Sequence, residues 1–391
     1  MPGLEIEQIV QMLTSLESRA IKVHALQCSK LRHRRSTCAL CADHCPVKAI
    51  TWEESLQVDP EKCTGCGICA AVCPTGALEA RNPTNLELCT RIQELAKTET
   101  SIVFACPTYL RGAEGADDRR LRVNCLGRLD ESILAGALSV GIQSVRLLAG
   151  ACASCPHAIG LAVAEQVTHR TNALLGAFGI SARIRVSLEP PCAPEPPAQP
   201  SAPSAGLSRR SFFRLLTRET ARKAAVGVES ILGIPNARTQ KPEKGELPAA
   251  LPAKRRLLLA ALRRIGKSVA AESPADGGLW ARFGFKEACN GCQMCAFFCP
   301  TGALSKVQEG GKVGVTFRTS HCTACRLCQE ICDCGAVTLS STVDLSKVLA
   351  DSVDVLLMQE VKACPWLESP EERIKRILSE MFPNGNSRSG L

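Results

Sequence analysis

Aromatic residues are scarce in this 391-residue chain: one tyrosine, three tryptophans and ten phenylalanines make up only 4% of it, and histidines number six. Few aromatics leave little with which to stack bases, and the basic residues are dispersed, so nucleic-acid binding is disfavoured. No apolar run approaches the ~18–20 residues of a membrane span. The opening segment MPGLEIEQIV has no basic region, apolar stretch or small-residue cleavage site of an export signal. A reducing, cytoplasmic location is therefore expected, with membrane association at most peripheral. No dinucleotide fingerprint, phosphate-cradling loop or nucleophile–base arrangement stands out, so no catalytic residue is assigned. With 45% hydrophobic residues the chain can still bury ordinary cores, and its length suggests roughly two or three domains.

Cysteine is what the chain has in excess, 24 in all. Disulfide staples belong mainly to short exported chains, and zinc sites pair Cys-x-x-Cys units or mix Cys with His. Here the thiols come in fours. Cys289, Cys292, Cys295 and Cys299-Pro300 follow the spacing C-x2-C-x2-C-x3-C-P, and Cys322, Cys325, Cys328 and Cys332 repeat it. An earlier copy runs Cys63, Cys66, Cys69 and Cys73-Pro74, preceded by Cys38, Cys41 and Cys45-Pro46. This spacing resembles bacterial two-cluster ferredoxins, in two stretches near 28–85 and 280–342. In that family three clustered thiolates bind one 4Fe-4S group and the fourth cysteine binds its neighbour. The resemblance therefore implies four sets: Cys289, Cys292, Cys295 and Cys332; Cys322, Cys325, Cys328 and Cys299; Cys63, Cys66, Cys69 and Cys45; and Cys38, Cys41 and Cys73, with Cys28 as expected fourth ligand.

Two positions depart from the pattern. Arg35 stands where the first cysteine of its triplet belongs, so Cys28 has to return across residues 29–37; the alternative is a three-iron cluster on three cysteines. Asp333 stands where proline usually follows the last cysteine, with the extra thiol Cys334 beside it. After Pro300 the sequence reads as a hairpin over residues 303–317, turning at Gly310-Gly311.

Between the ferredoxin stretches, strands are expected over 101–105, 121–124, 144–149 and 182–188, with helices near 130–141 and 157–178. That alternation predicts a parallel α/β sheet, and ligands gather at the carboxyl ends of such strands. Cys106, Cys125, Cys152 and Cys155 stand at those ends. The segments Cys125-Leu126-Gly127-Arg128-Leu129-Asp130 and Leu147 to Cys155 resemble the delta subunit of heterodisulfide-reductase-associated hydrogenases. That resemblance implies a 2Fe-2S cluster at the four thiols; the alternative is four buried apolar cysteines. His157 is expected to be a solvent-facing residue at a helix start.

Residues 190–206 are a Pro/Ala/Ser tether, and Cys192 within it is not expected to ligate. Arg209-Arg210 looks like a twin-arginine motif in mid-chain, and the half of the chain from 207 onward resembles accessory ferredoxins of nitrate reductase. Residues 254–269 are amphipathic, with Leu258, Leu262, Ile265 and Val269 opposite Arg256, Arg263, Arg264 and Lys267, and are expected to rest on the protein's own domains. Cys89 and Cys364 have no assigned role.

The fold class is α+β: two bacterial ferredoxin-like modules flanking a small parallel α/β domain, with helical linkers. The expected divisions are an N-terminal helix over 1–27, modules over 28–90 and 276–345, the α/β domain over 98–189, a linker with basic helices over 190–275 and a helical tail over 346–391. The expected function is electron relay between redox enzymes (dehydrogenase, hydrogenase or reductase subunits) through four 4Fe-4S clusters and a possible 2Fe-2S cluster. The alternative is an accessory protein assisting assembly of a reductase. The formal net charge of +9 fits either, because four oxidised clusters at a net −2 each bring it to about +1.

Overall fold

The computed structural model describes residues 20–52, 55–110, 120–181, 183–188, 247–266 and 278–360. The Pro-rich tether with Cys192, the arginine pair at 209–210, and the tail with Cys364 lie outside the described residues.

The first module opens with strand β1 (Ile21–Val23), helices α1 (Ser29–Arg32) and α2 (Leu40–Asp43), the short strands β2 (Ile50–Thr51) and β3 (Gln57–Val58), helix α3 (Ile68–Val72) and strand β4 (Leu78–Ala80). β1 pairs antiparallel with β4, Ile21 opposite Ala80, and β2 pairs with β3. Residues 20–27, expected within an N-terminal helix, instead form this strand and a 3-10 turn over Ala25–Gln27. The reason is long-range: β4 needs a hydrogen-bonding partner, and the pairing buries Ile21 with Leu78 and Ala80 in the core that also holds Cys28, Cys41, Cys45, Cys69 and Cys73.

Helix α4 (Asn85–Leu95) leads out of the module behind a capping box, in which Thr84 and Glu87 satisfy each other's backbone N–H groups. Cys89 on its inner face is an ordinary core residue, whose thiol burial pushes up to about 12. The middle domain follows with β5 (Ser101–Ala105), α5 (Pro107–Leu110), β6 (Arg120–Arg122), α6 (Glu131–Ser139), β7 (Ser144–Ala149), α7 (Ile159–Ala177) and β8 (Ile184–Leu188). The four strands are all parallel, in the order β6-β5-β7-β8, so Phe104 lies opposite both Leu121 and Leu147. This is the expected sheet to within a residue or two at each end. Parallel strands require crossovers, and α6, capped by the Asp130 carboxylate on the Ser132 and Ile133 amides, supplies one. One core joins the sheet, α4 and α6 to Cys66 and Ile68 of the first module.

Helix α8 (Ala253–Ile265) is buried nearly all round: Leu257 and Ala260 pack on the middle-domain core, while Leu258, Leu259, Ala261 and Leu262 join Trp280 and Leu345 of the second module. The expected two-faced helix is thus a strut inside the protein, and only Arg263 and Arg264 near its end face solvent.

The second module repeats the plan of the first with β9 (Arg282–Phe285), α9 (Met294–Phe297), β10 (Leu304–Glu309), β11 (Lys312–Arg318), α10 (Leu327–Glu330) and β12 (Val337–Ser340). β9 and β12 pair as β1 and β4 do, and β10–β11 is the expected hairpin, with positive φ at Gly310 and Gly311 as a tight two-residue turn demands. Beyond it, α11 (Leu345–Ala350) and β13 (Val353–Glu360) continue the chain, and β13 adds a third strand beside β11. The segment expected as a helical tail from 346 therefore begins as half a helix and then joins the module's sheet at the edge of β11.

Candidate metal centres

Three of the four cysteine loops share one backbone. The residues before and after the second cysteine both have positive φ: Gly65 (68°) and Gly67 (79°), Gly291 (77°) and Gln293 (56°), Ala324 (52°) and Arg326 (62°). Left-handed residues curl a loop so that successive N–H groups turn inward, the concave arrangement that cradles negative charge. Glycine holds this shape freely, whereas Ala324, Arg326 and Gln293 each hold it at a cost of about 1–2 kcal/mol. Gln293 offsets that cost by donating from Nε2 to the carbonyls of Val307 (3.0 Å) and Gly314 (2.7 Å). The Cys38 loop differs: Ala39 has φ −133°, and no left-handed pair surrounds Cys38.

The expected ligand sets come together in space. Cys289, Cys292, Cys295 and Cys332 line one cavity with an empty volume of about 390 Å³. Cys28, Cys38, Cys41 and Cys73 line another of about 320 Å³, so the thiol from outside the triplet does reach the other three. It arrives because the 3-10 turn at 25–27 and helix α1 fold the 29–37 segment back over the module. Among the described residues no three His, Cys, Asp or Glu side chains converge on a point as a single metal ion would require. In these two sets the sulfurs ring a volume instead.

The other two sets are recognisable from mutual influence. Burial lifts the Cys69 thiol well above its ordinary value, and Cys66, Cys63, Cys41 and Cys45 add to the shift. Burial does the same at Cys328, with Cys325, Cys299 and Cys322 adding to it. Burial likewise pushes Cys41 up to about 12, reinforced by Cys73, Cys28 and Cys38, and lifts Cys295, reinforced by Cys292 and Cys289. Thiols crowded like this resist ionising on their own. A cationic iron–sulfur core removes that penalty, since it balances four thiolates at once. The residues present therefore fit the group.

Hydrogen bonds to the sulfurs recur between modules. The amide of Ala49 donates to Cys45 Sγ (3.3 Å) and that of Ala336 to Cys332 Sγ (3.3 Å). The buried hydroxyls of Thr75 and Thr301 lie 3.7 Å from Cys73 Sγ and Cys299 Sγ. The sequence held a signal for these threonines in the hexapeptide CPTGAL, present at both 73–78 and 299–304. Cys334 is not a mere bystander in position: it lines the Cys289 cavity, 3.7 Å from Cys332 Sγ. Arg255 is fully enclosed; burial lowers it to about 10, while Cys322 and then Glu131 pull the other way. It donates to the Leu279 carbonyl and lies over the Trp280 ring at 4.4 Å.

In the middle domain, Cys106, Cys125, Cys152 and Cys155 all stand beyond the carboxyl ends of β5, β6 and β7. Burial pushes the Cys125 thiol up to about 12, with Cys66, Cys106 and Cys155 reinforcing it, and burial raises Cys152, with Cys106 and Cys155 behind. The four thiols are thus neighbours of one another and of the Cys66 loop. Gly160 makes this possible, because a Cβ there would lie 2.3 Å from Cys125 Sγ. His157, expected in solvent, is half-buried and bonded through Nε2 to Thr64 Oγ1 (2.9 Å) in the Cys63–Cys69 loop, while Asn124 Nδ2 donates to the Gly65 carbonyl (3.0 Å). No helix among the described residues is long and apolar enough to cross a membrane.

Comparison with known proteins agrees with this anatomy. The 4Fe-4S binding domain family matches residues 56–79 and 285–305, and the delta subunit family of methyl-viologen-reducing hydrogenase matches 115–200. An uncharacterized ferredoxin of Methanocaldococcus jannaschii is 41% identical over 44 residues, 11% of this chain and 71% of that protein. A second from the same organism is 32% identical over 87 residues, 22% of this chain and 52% of that one. One component of an ion-translocating oxidoreductase complex of Methanosarcina acetivorans is 49% identical over 45 residues, 11% of this chain and 17% of that protein. The chain spans less than a fifth of the larger curated relatives it matches. No solved structure matches it. With its cysteine loops, paired short sheets and matched domains, the chain belongs to the 4Fe-4S ferredoxins, and its middle domain is of the hydrogenase delta-subunit kind.

Proposed function

We propose that this protein is a polyferredoxin-type electron conduit carrying four 4Fe-4S clusters and a 2Fe-2S cluster in its middle domain, and that it serves redox-enzyme partners. The observation that carries the reading is the sorting of sixteen cysteines into four neighbouring sets, including the return of Cys28 to the Cys38, Cys41 and Cys73 cavity. Bound clusters of this kind accept and pass on single electrons without bond making. The chain's own residues then hold and tune them. Thiolates supply the soft ligands, while the Ala49 and Ala336 amides and the Thr75 and Thr301 hydroxyls favour the more negative, reduced state of the adjoining centre. Arg255 offsets the charge accumulated at Cys322.

The delta-subunit-like domain leans its cysteines on the Cys66 loop, which favours a hydrogenase or flavin-bearing reductase as the partner on that side. The test is anaerobic co-purification with such a partner, followed by EPR redox titration of the complex. Stoichiometric association and four separately titrating 4Fe-4S signals are expected; transient binding to an immature enzyme, with no electron transfer, would contradict the conduit.

A further inference from the structure

The two departures from the ferredoxin pattern belong to different modules, yet in the folded chain they meet: the Arg35 guanidinium is ion-paired with Asp333. The rest of the 29–37 segment points the same way. Thr37 gives its amide and hydroxyl to the Glu330 carboxylate (3.2 and 2.6 Å). Arg32 donates to the carbonyls of Phe298 (3.5 Å) and Pro248, and the His33 ring meets Phe298 edge-on at 4.8 Å. A ferredoxin loop needs only two residues between its cysteines, and this one has nine between Cys28 and Cys38. The extra length is spent on contacts with the Cys299 and Cys322–Cys332 loops.

Ser29 is the innermost member of the segment. It is 2% exposed, its hydroxyl makes no hydrogen bond of ordinary length, and it stands next to Cys28 in the chain. It lines the same cavity as Cys28, Cys38 and Cys41. Cys38 and Cys325 also border the same crevice between the modules.

We infer that residues 29–37 form an internal dock that joins the two ferredoxin modules into a single conductor, with the Cys28 set and the Cys325 set as its inner pair. This rests on the four-cluster reading. The row then runs from the middle-domain cysteines to the Cys66 set, the Cys28 set, the Cys325 set and the Cys289 set: Cys125 shares a core with Cys66, Cys69 with Cys41 and Cys328 with Cys295, while the 29–37 segment bridges the Cys28 and Cys325 sets. With clusters held by the two inner sets, an electron crossing the junction would oxidise one by a single unit and reduce the other by one, with no proton or bond moved.

The test uses the full chain with the outer cluster of each module removed by Cys66→Ala and Cys292→Ala, so that any spin–spin splitting between 4Fe-4S centres in the reduced protein arises across the junction. Splitting is expected, with about eight irons retained in the two modules. Adding Arg32→Ala, Arg35→Glu and Thr37→Ala places a carboxylate opposite Asp333 and should abolish the splitting at unchanged iron content, and Asp333→Arg should restore part of it. Splitting that persists in the undocked variant overturns the dock while leaving the cluster reading intact; fewer than four clusters in the unmutated chain overturns the cluster reading itself. Should the outer-cluster deletions also empty the inner sites, the three dock substitutions in the otherwise native chain decide. Hydrogen exchange at the amides around Phe298 and Glu330 should quicken at least tenfold, and unchanged exchange overturns the dock.

Discussion

Three cysteine loops hold their thiols with one backbone shape, and the fourth holds them with another. In the regular loops a left-handed residue on each side of the second cysteine curls the chain around the site, so all three ligands of the triplet come from one short turn. The Cys38 loop has no such pair, and Cys28 joins Cys38, Cys41 and Cys73 in one cavity across a segment that also reaches the other module. The difference teaches that a set of four thiols is preserved while the geometry supplying it is exchanged, and that the exchange frees a segment for contact elsewhere.

The comparison breaks most sharply at the ligands. Cys66→Ala, in a regular loop, should remove a whole cluster, about a quarter of the 4Fe-4S iron, and stop electron flow from the middle domain while partner binding survives. Cys28→Ala should have a milder result, a three-iron EPR signature at the Cys38 set, because Cys28 stands outside the loop that carries Cys38 and Cys41, whereas Cys66 is the central member of its triplet. Cys334→Ala, at a cavity-lining thiol outside the pattern, should leave the iron count unchanged.

Backbone substitutions come next. Gly67→Ala would place a Cβ 2.5 Å from Arg128 Cγ at φ 79°, and should destabilise the protein by about 2–4 kcal/mol, read from denaturant midpoints. Ala324→Gly in the second module, at the position that Gly65 holds in the first, should do the reverse, gaining up to about 1 kcal/mol as the left-handed strain is relieved. The smallest effect expected is electronic. Thr75→Val and Thr301→Val each remove a hydroxyl beside a ligand sulfur and should lower the potential of the adjoining cluster without altering its iron content, as EPR redox titration would record.

The ferredoxin modules, the parallel sheet and the Gly310-Gly311 hairpin were legible because each is written locally, in spacing, in periodicity or in a turn dipeptide. Strand β1 was not, since three residues gain their conformation from β4, far along the chain. Strand β13 was missed for the same reason. The pattern of 254–269 did give a helix resting on the protein's own domains, as Ala253–Ile265 does, but not that its apolar residues serve two cores or that Arg255 is enclosed against Trp280 and Leu279. Arg35 and Asp333 each read as a defect in a motif. Their pairing is a property of two modules packed together, and no local pattern carries it.

We propose that the four cysteine sets, the irregular one included, each hold a cluster. Iron and acid-labile sulfide measured per chain after anaerobic purification test it most directly. Four 4Fe-4S clusters require about sixteen of each, and about eighteen with a 2Fe-2S cluster in the middle domain. A count near twelve, unchanged by Cys28→Ala, would contradict it.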